Sequence, residues 1–320
     1  MSTLLVSSVG GHLADLYRLL PRMEELDEER VWVTFDTPQS RSLLADEKVV
    51  YVDYTGPRDI KNVLRHSLLA SHLLRKRHPF TRVVSAGSGI ALSFLPLARM
   101  RGAECHYIEC SARSVGPSTT GRLLRRVPGI SLYAQYPGWA QPPWVYSGSV
   151  LDTFAPGPSS PGECTIRRAV VTVGTMQDYS FKRLIERAHA ILPADAEVLW
   201  QVGCTDVSDM PIEAHEQLPV RVLQQAIEEA DVVIAHAGCG SSVSALEAGK
   251  KPVLVPRLAS HGENVDDHQL LIASELAERE LALMRSVEEL TMADLLLAAR
   301  SSVRTESEPP PFRLAPSQAV

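Results

Sequence analysis

The residues between 232 and 269 are spaced as a ligand-binding turn. An apolar run at 232–235 ends in His236-Ala237-Gly238-Cys239-Gly240, and Ser241 and Ser242 then open a helical pattern. That order reads as strand, tight turn and helix start. A helix start leaves backbone N–H groups unpaired and carries the positive end of the helix dipole, while Gly238 and Gly240 let an anion come close to the main chain. The pattern suits a pyrophosphate. A second apolar run at 252–255 follows about one helix later, so the unit is βαβ. The polar segment 257–269 therefore leaves the carboxyl end of a strand, which is where parallel sheets bind ligands.

A similar arrangement opens the chain. An apolar run at 4–8 leads into Gly10-Gly11-His12-Leu13, and Leu13, Leu16, Leu19 and Leu20 recur at helical spacing. A dinucleotide fingerprint needs G-x-G-x-x-G and an acidic residue about 20 positions on. Only one glycine pair is present, which excludes a dehydrogenase.

These turns need elements to hold them. Further strands are expected at 31–35, 49–52, 83–86, 105–108 and 132–135, with helices between most of them. Pro, Gly and Ser crowd residues 137–161, a linker composition. A second alternating half follows, with strands at 169–173 and 198–202, a helix at 181–192, and the βαβ unit. A last helix is expected at 290–304. The expected organisation is an α/β domain over 1–150, a linker over 151–167, a second α/β domain over 168–305 and a disordered tail over 306–320.

The 320 residues suffice for two domains, and 45% hydrophobic with 22% charged residues is a globular composition. No apolar run reaches the about 18 residues that a membrane-spanning helix needs. The start of the chain lacks the pattern of a cleaved signal, so a cytoplasmic protein is expected. Five cysteines, an odd number without a C-x-x-C pair, argue against a disulfide frame or a structural zinc site. The net charge of −6 is uneven. Residues 1–150 carry 18 Lys and Arg against 13 Asp and Glu, whereas residues 151–320 carry 14 against 25. The first half is too weakly basic for a nucleic-acid partner and shows no such motif. An anionic lipid surface or a phosphorylated acceptor fits it better. Residues 60–78, with Leu64, Leu68, Leu69, Leu73, Leu74 and a basic end, fit both a helix lying on a bilayer and a core helix with a solvated C-terminus.

The second half resembles the donor-binding subunit of the two-subunit N-acetylglucosamine transferase that extends dolichol-linked glycans. The matching residues are Val173-Gly174-Thr175, Gln201-Val202-Gly203, His236-Ala237-Gly238 with Gly240-Ser241, Lys251-Pro252 and His268-Gln269. The first half resembles its membrane-recruiting partner through Gly10-Gly11-His12-Leu13, Ile108-Glu109 with Arg113, Thr120-Gly121-Arg122-Leu123-Leu124, and Gln135 with Pro137. The chain looks like a fusion of the two. Pro256-Arg257 with Gly262-Glu263 and Asp266-Asp267-His268-Gln269 is most similar to bacterial exopolysaccharide glycosyltransferases, which use UDP-glucuronate or UDP-galactose; lipid II synthase, of glycosyltransferase family 28, is a more distant relative. The resemblance covers about residues 1 to 300 and implies the GT-B architecture, two Rossmann-like domains with a cleft between them. Two features depart from it. Ser244 stands where relatives that use N-acetylglucosamine carry a ribose-binding acid, with Glu247 one turn on as the substitute. The apolar anchor of many recruiting subunits is missing.

The resemblance implies an inverting hexosyltransferase that moves a sugar from a UDP-sugar to a lipid-linked (polyprenyl-diphosphate) saccharide, on the inner face of the cell membrane. No cofactor is expected, and no metal, because the sequence holds no D-x-D. Leaving-group stabilisation then falls to Gly238, Gly240, Ser241 and Ser242, with Gly174 and Thr175 opposite. His236 beside this turn is either a ligand or a packed strand end. Asp267, His268 and Gln269 are expected on the donor sugar, with His268 equally suited to capping the helix. Arg257 is placed on a uronate carboxylate or in an ion pair with Glu263 or Asp267. Gly10, Gly11 and Arg113 are assigned to the acceptor. His12 is the first choice for general base, with acceptor phosphate binding as its other role. Glu109 is the second choice, with a Glu109–Arg113 ion pair as the plainer account. Competing readings are a UDP-sugar 2-epimerase, whose larger acidic set is not visible, a transferase acting on a soluble natural-product acceptor, and a non-catalytic UDP-sugar-binding subunit.

Overall fold

The computed structural model describes residues 2–24, 26–27, 29–54, 60–76, 80–162, 164–174, 179–264 and 267–315, apart from the side chains of 60, 61, 63 and 76. These residues form two compact units, one made of the chain up to residue 150 together with residues from 309 onward, the other of 151–308.

The strands of the first unit are β1 (Ser2–Val6), β2 (Glu29–Phe35), β3 (Val49–Val52), β4 (Arg82–Ser85), β5 (Glu104–Ile108), β6 (Ile130–Ala134) and β7 (Trp144–Tyr146). Its helices are α1 (Gly11–Leu19), α2 (Pro38–Leu43), α3 (Ile60–Lys76), α4 (Gly89–Arg99) and α5 (Thr119–Leu124). The strands pair parallel in the order β3-β2-β1-β4-β5-β6-β7. Each of the five residues of β1 is buried, as expected for a parallel strand covered on both faces. Strand order reverses between β1 and β4, so the turns after these two strands flank a topological switch point.

The second unit repeats the plan. Its strands are β8 (Phe154–Pro156), β9 (Arg168–Thr172), β10 (Glu197–Gln201), β11 (Ala214–His215), β12 (Val232–Ala235), β13 (Val253–Leu254), β14 (Leu283–Met284) and β15 (Val303–Thr305). Its helices are α6 (Lys182–Ile191), α7 (Val220–Glu229), α8 (Cys239–Glu247), α9 (His268–Glu278) and α10 (Met292–Arg300). Six strands pair parallel in the order β11-β10-β9-β12-β13-β14, with the reversal between β9 and β12. The remaining two, β8 and β15, form an antiparallel ribbon.

Three features differ from the sequence reading. The helix expected over 290–304 is shorter: a Thr291–Asp294 capping box starts it at Met292, and Ser301 turns extended so that Val303 pairs with Pro156. The segment read as a linker contains β8, which that pairing stabilises. The expected disordered tail is ordered through residue 315. Phe312 is fully buried with its ring 5.5 Å from that of Tyr133, and its N–H donates to Arg22 O at 2.8 Å.

One face of α3 packs Leu69, Leu73 and Leu74 against the core, with Ala70 fully buried, while Leu64 and Leu68 remain 63% and 75% exposed. No helix among the described residues is long and apolar enough to cross a membrane. All five cysteines are free thiols.

Candidate functional site

In the second unit the site forms at the reversal of strand order. The N–H of His236 and the carbonyl of Thr172 are 3.2 Å apart, continuing the ladder between β12 and β9 by one residue. The His236 ring then folds back so that Nδ1 lies 3.3 Å from the same carbonyl. A carbonyl only accepts, so Nδ1 carries the proton and Nε2 is the unprotonated nitrogen. Burial first, then the charge of Arg257, holds the ring's pKa down at about 3, so it is neutral at physiological pH.

Two glycines make room for this ring. A Cβ on Gly238 would collide with Nε2 and Cε1, and one on Gly174, at φ +76°, would meet Cε1 at 2.7 Å. Between them Ala237 takes φ +58°, a left-handed conformation that alanine rarely adopts. The turn thus delivers the chain into α8 with Gly238 at its N-cap and no side chain capping it. Ser242 N makes the first return bond, to Gly238 O, so Gly240 and Ser241 stand in the first turn ahead of the helical ladder. Gly240 is exposed and a Cβ there would meet nothing within 4 Å, so that amide is approachable. Ser242 behaves otherwise than expected. Its side chain is fully buried with no hydrogen-bond partner for Oγ, whereas Ser241 reaches solvent. Thr175 lies outside the described residues.

Gln269 is buried at the first turn of α9, and its Oε1 accepts the main-chain N–H of Arg257 at 3.0 Å, leaving its NH2 as the donor group. Asp267 precedes α9 and accepts from Ala259 N at 2.9 Å, next to His268. Arg257 is 1% exposed with its guanidinium 5.5 Å from the Phe181 ring centre. Glu263, an expected partner, instead binds Arg183 through both oxygens at 2.8 and 3.2 Å. Arg257 is thus almost wholly enclosed, with Phe181 against its guanidinium. Glu247 is exposed on the last turn of α8, one turn beyond Ser244.

The first unit builds a matching turn from β1 and β4. Gly10 adopts φ +76° and donates its N–H to Gln39 Oε1, and no atom lies within 4 Å of a Cβ on Gly10 or Gly11. His12 Nδ1 is 2.7 Å from Ala86 O, which again fixes the proton on Nδ1 and leaves Nε2 as the acceptor. Gly87 has φ +97°, and a Cβ there would lie 3.0 Å from His12 Nδ1.

Glu109 does not stand free as a base. It is fully buried, Oε1 accepts from the Tyr107 hydroxyl and Cys110 N, and Oε2 accepts from Ser118 N and Oγ. Arg113 is not its partner, since Nη2 of Arg113 points to Pro117 O at 3.5 Å. Asp15, passed over in the sequence, is its counterpart. It is buried and takes Ser111 N at 2.8 Å and Ser111 Oγ at 2.9 Å. Between them the two carboxylates fix both ends of the 110–118 loop. A charged residue among Leu13, Leu16 and Leu19 on the buried side of α1 was the available signal.

Residues 168–308 match the glycosyltransferase family 28 C-terminal domain. The match spans the glycine turn before α8 and the whole six-stranded sheet. No curated protein matches the sequence. Among solved structures, MurG of Acinetobacter baumannii superposes with a TM-score of 0.58 at 19% identity, covering 92% of this chain and 88% of MurG. The glycosyltransferase of kitacinnamycin gives 0.56 at 16% over 93% and 89%. S. aureus MnaA, solved with UDP, gives 0.56 at 11% over 93% and 92%. These likenesses establish the fold class: two Rossmann-like parallel-sheet units, as in GT-B glycosyltransferases.

Proposed function

We propose that the chain is an inverting glycosyltransferase that moves a sugar from a UDP-sugar to a polyprenyl-diphosphate-linked saccharide, without a metal, in the assembly of an exopolysaccharide or other cell-surface polymer. One observation carries the reading: the uncapped first turn of α8, inside the family 28 segment, opens at the strand-order reversal with an approachable glycine amide.

The acceptor hydroxyl attacks the anomeric carbon, the bond from that carbon to the UDP oxygen breaks, and one proton must leave the hydroxyl. Charge gathering on UDP meets the amides of Gly240 and Ser241. His12 Nε2 takes the proton, its tautomer set by Ala86. The Gln269 amide, with Asp267 and His268, takes the sugar hydroxyls. On the first unit, exposed Leu64 and Leu68 sit one turn apart on α3 with Arg65 and Arg75 also exposed, which supports peripheral contact with the anionic inner face of the membrane.

The test is thermal stabilisation by UDP, UDP-glucuronate, UDP-galactose, UDP-glucose and UDP-N-acetylglucosamine, with and without EDTA. A ligand at about 100 times its Kd adds about 2.7 kcal/mol. Stabilisation by one UDP-sugar that survives EDTA, followed by its transfer to a polyprenyl-diphosphate saccharide, is expected. Stabilisation without turnover on lipid-linked or soluble acceptors would favour a binding subunit, and no shift with any uridine ligand would overturn the reading.

A further inference from the structure

A pocket lies within 151–308, away from the glycine turn before α8. It encloses about 290 Å³ at the start of β12, whose first residues Val232 and Val233 line it, while the turn at His236 leaves the other end of that strand. Three rises of ~3.3 Å put ~10 Å between the first and last residues of β12. Lys250, Lys251 and Arg300 line the pocket, with Asp231 as the opposing charge. Asp231 is already engaged, accepting the N–H groups of Arg167 and Arg168 at 2.7 and 2.9 Å through Oδ2. Lys250 is anchored by one bond to Ala230 O at 2.6 Å, which leaves two of its protons to donate. Nε of Arg300 is buried without a hydrogen-bond partner among the described residues. Three cations around one cavity stand out in a half of the chain that carries 14 basic against 25 acidic residues.

We propose that this pocket binds a small phosphate-bearing anion. Its volume is at the lower limit of ligand sites, about 300 Å³, which suits a phosphate or a phosphorylated sugar. None of the lining residues is aromatic, so a nucleotide base has no ring to stack on. Lysine and arginine together supply the point charge and planar fork that phosphate oxygens take. The pocket is joined to the donor turn by β12 on one side and by α8 on the other, since α8 runs from Gly238 back toward Gly249 and Lys250.

The test titrates the full-length protein with orthophosphate and with glucose 1-phosphate by calorimetry, comparing wild type, Lys251→Gln, Arg300→Gln and the donor-turn variant Gly240→Ala. Binding with a Kd of about 1 mM or tighter, weakened at least ~5-fold by each pocket variant and not by Gly240→Ala, is expected. A phosphosugar preference would show that the sugar is read as well; equal affinity would show that phosphate alone is. Absence of binding by either probe, equal binding in the pocket variants, or loss only in Gly240→Ala would overturn the proposal. Should a variant fail to fold, amide shifts in the wild type decide: perturbation centred on residues 249–251 and 300–302 supports the pocket, and perturbation elsewhere overturns it. Neither result depends on whether a UDP-sugar binds.

Discussion

Nδ1 of His236 lies 3.3 Å from the main-chain oxygen of Thr172, so one imidazole ties β12 to β9 where the strand order reverses. His12 repeats the device on the first unit, with Nδ1 2.7 Å from Ala86 O across β1 and β4. In both, a glycine on the neighbouring strand's turn, Gly174 or Gly87, admits the ring. The difference is accessibility: the His236 side chain is buried, whereas His12 is half-buried. Of the two, His12 has the greater access to solvent.

The two glycines of the α8 turn separate packing from binding. Gly238→Ala is expected to drive a methyl into the His236 ring and cost about 1–3 kcal/mol, read as a lower midpoint in urea unfolding. Gly240→Ala meets open space and is expected to leave that midpoint within about 0.5 kcal/mol while reducing stabilisation by UDP. Unchanged UDP stabilisation in Gly240→Ala would show that no phosphate approaches there.

His12 and Glu109 are expected to fail in different ways. His12→Gln should lower turnover by about 10²–10⁴-fold with the melting temperature retained. Glu109→Gln places an NH2 among four donors and should cost about 1–3 kcal/mol of stability, and its residual activity should keep the wild-type pH profile. A pH profile altered by Glu109→Gln and not by His12→Gln would reverse the assignment.

Acid should unfold the protein through its buried histidines. The pKa of His236 is held at about 3 by burial and then Arg257, and that of His106 at about 4 by burial and then Arg82. In the unfolded chain both titrate near 6.5, so below that pH the unfolded state binds more protons and stability falls as pH drops. Each group contributes a slope approaching ~1.4 kcal/mol per pH unit between its two values. Urea unfolding at pH 7, 6 and 5 should show the decline, with a shallower slope in His106→Gln. A stability flat from pH 7 to 5 would contradict these burial effects.

Leu64→Asp with Leu68→Asp is expected to abolish sedimentation with vesicles of anionic phospholipid and to leave the melting temperature within a few degrees, because both side chains are exposed. Equal co-sedimentation of wild type and variant would remove α3 from the membrane reading.

Phe312→Ala should destabilise the first unit by about 3–5 kcal/mol, the cost of emptying a fully buried aromatic site beside Tyr133. Calorimetry would register this as an earlier transition. An unshifted transition would return residues 309–315 to the status of a loose tail.

The sequence by itself determined the alternation of apolar runs and helical stretches, the two glycine turns and the division into two α/β halves. These depend on local periodicity and on the few residues that tolerate tight turns. Tertiary structure decided the rest. The ribbon of β8 and β15 and the docking of Phe312 join segments far apart in the chain, which no local pattern encodes. Glu109 reads in the sequence as a base at a strand end or as the partner of Arg113, and only the fold brings Tyr107, Cys110 and Ser118 to it. Ser241 and Ser242 are adjacent and identical in type, yet helix geometry turns one toward solvent and the other inward. Residue type sets what a side chain is able to do, and the packing around it sets which of those abilities remains.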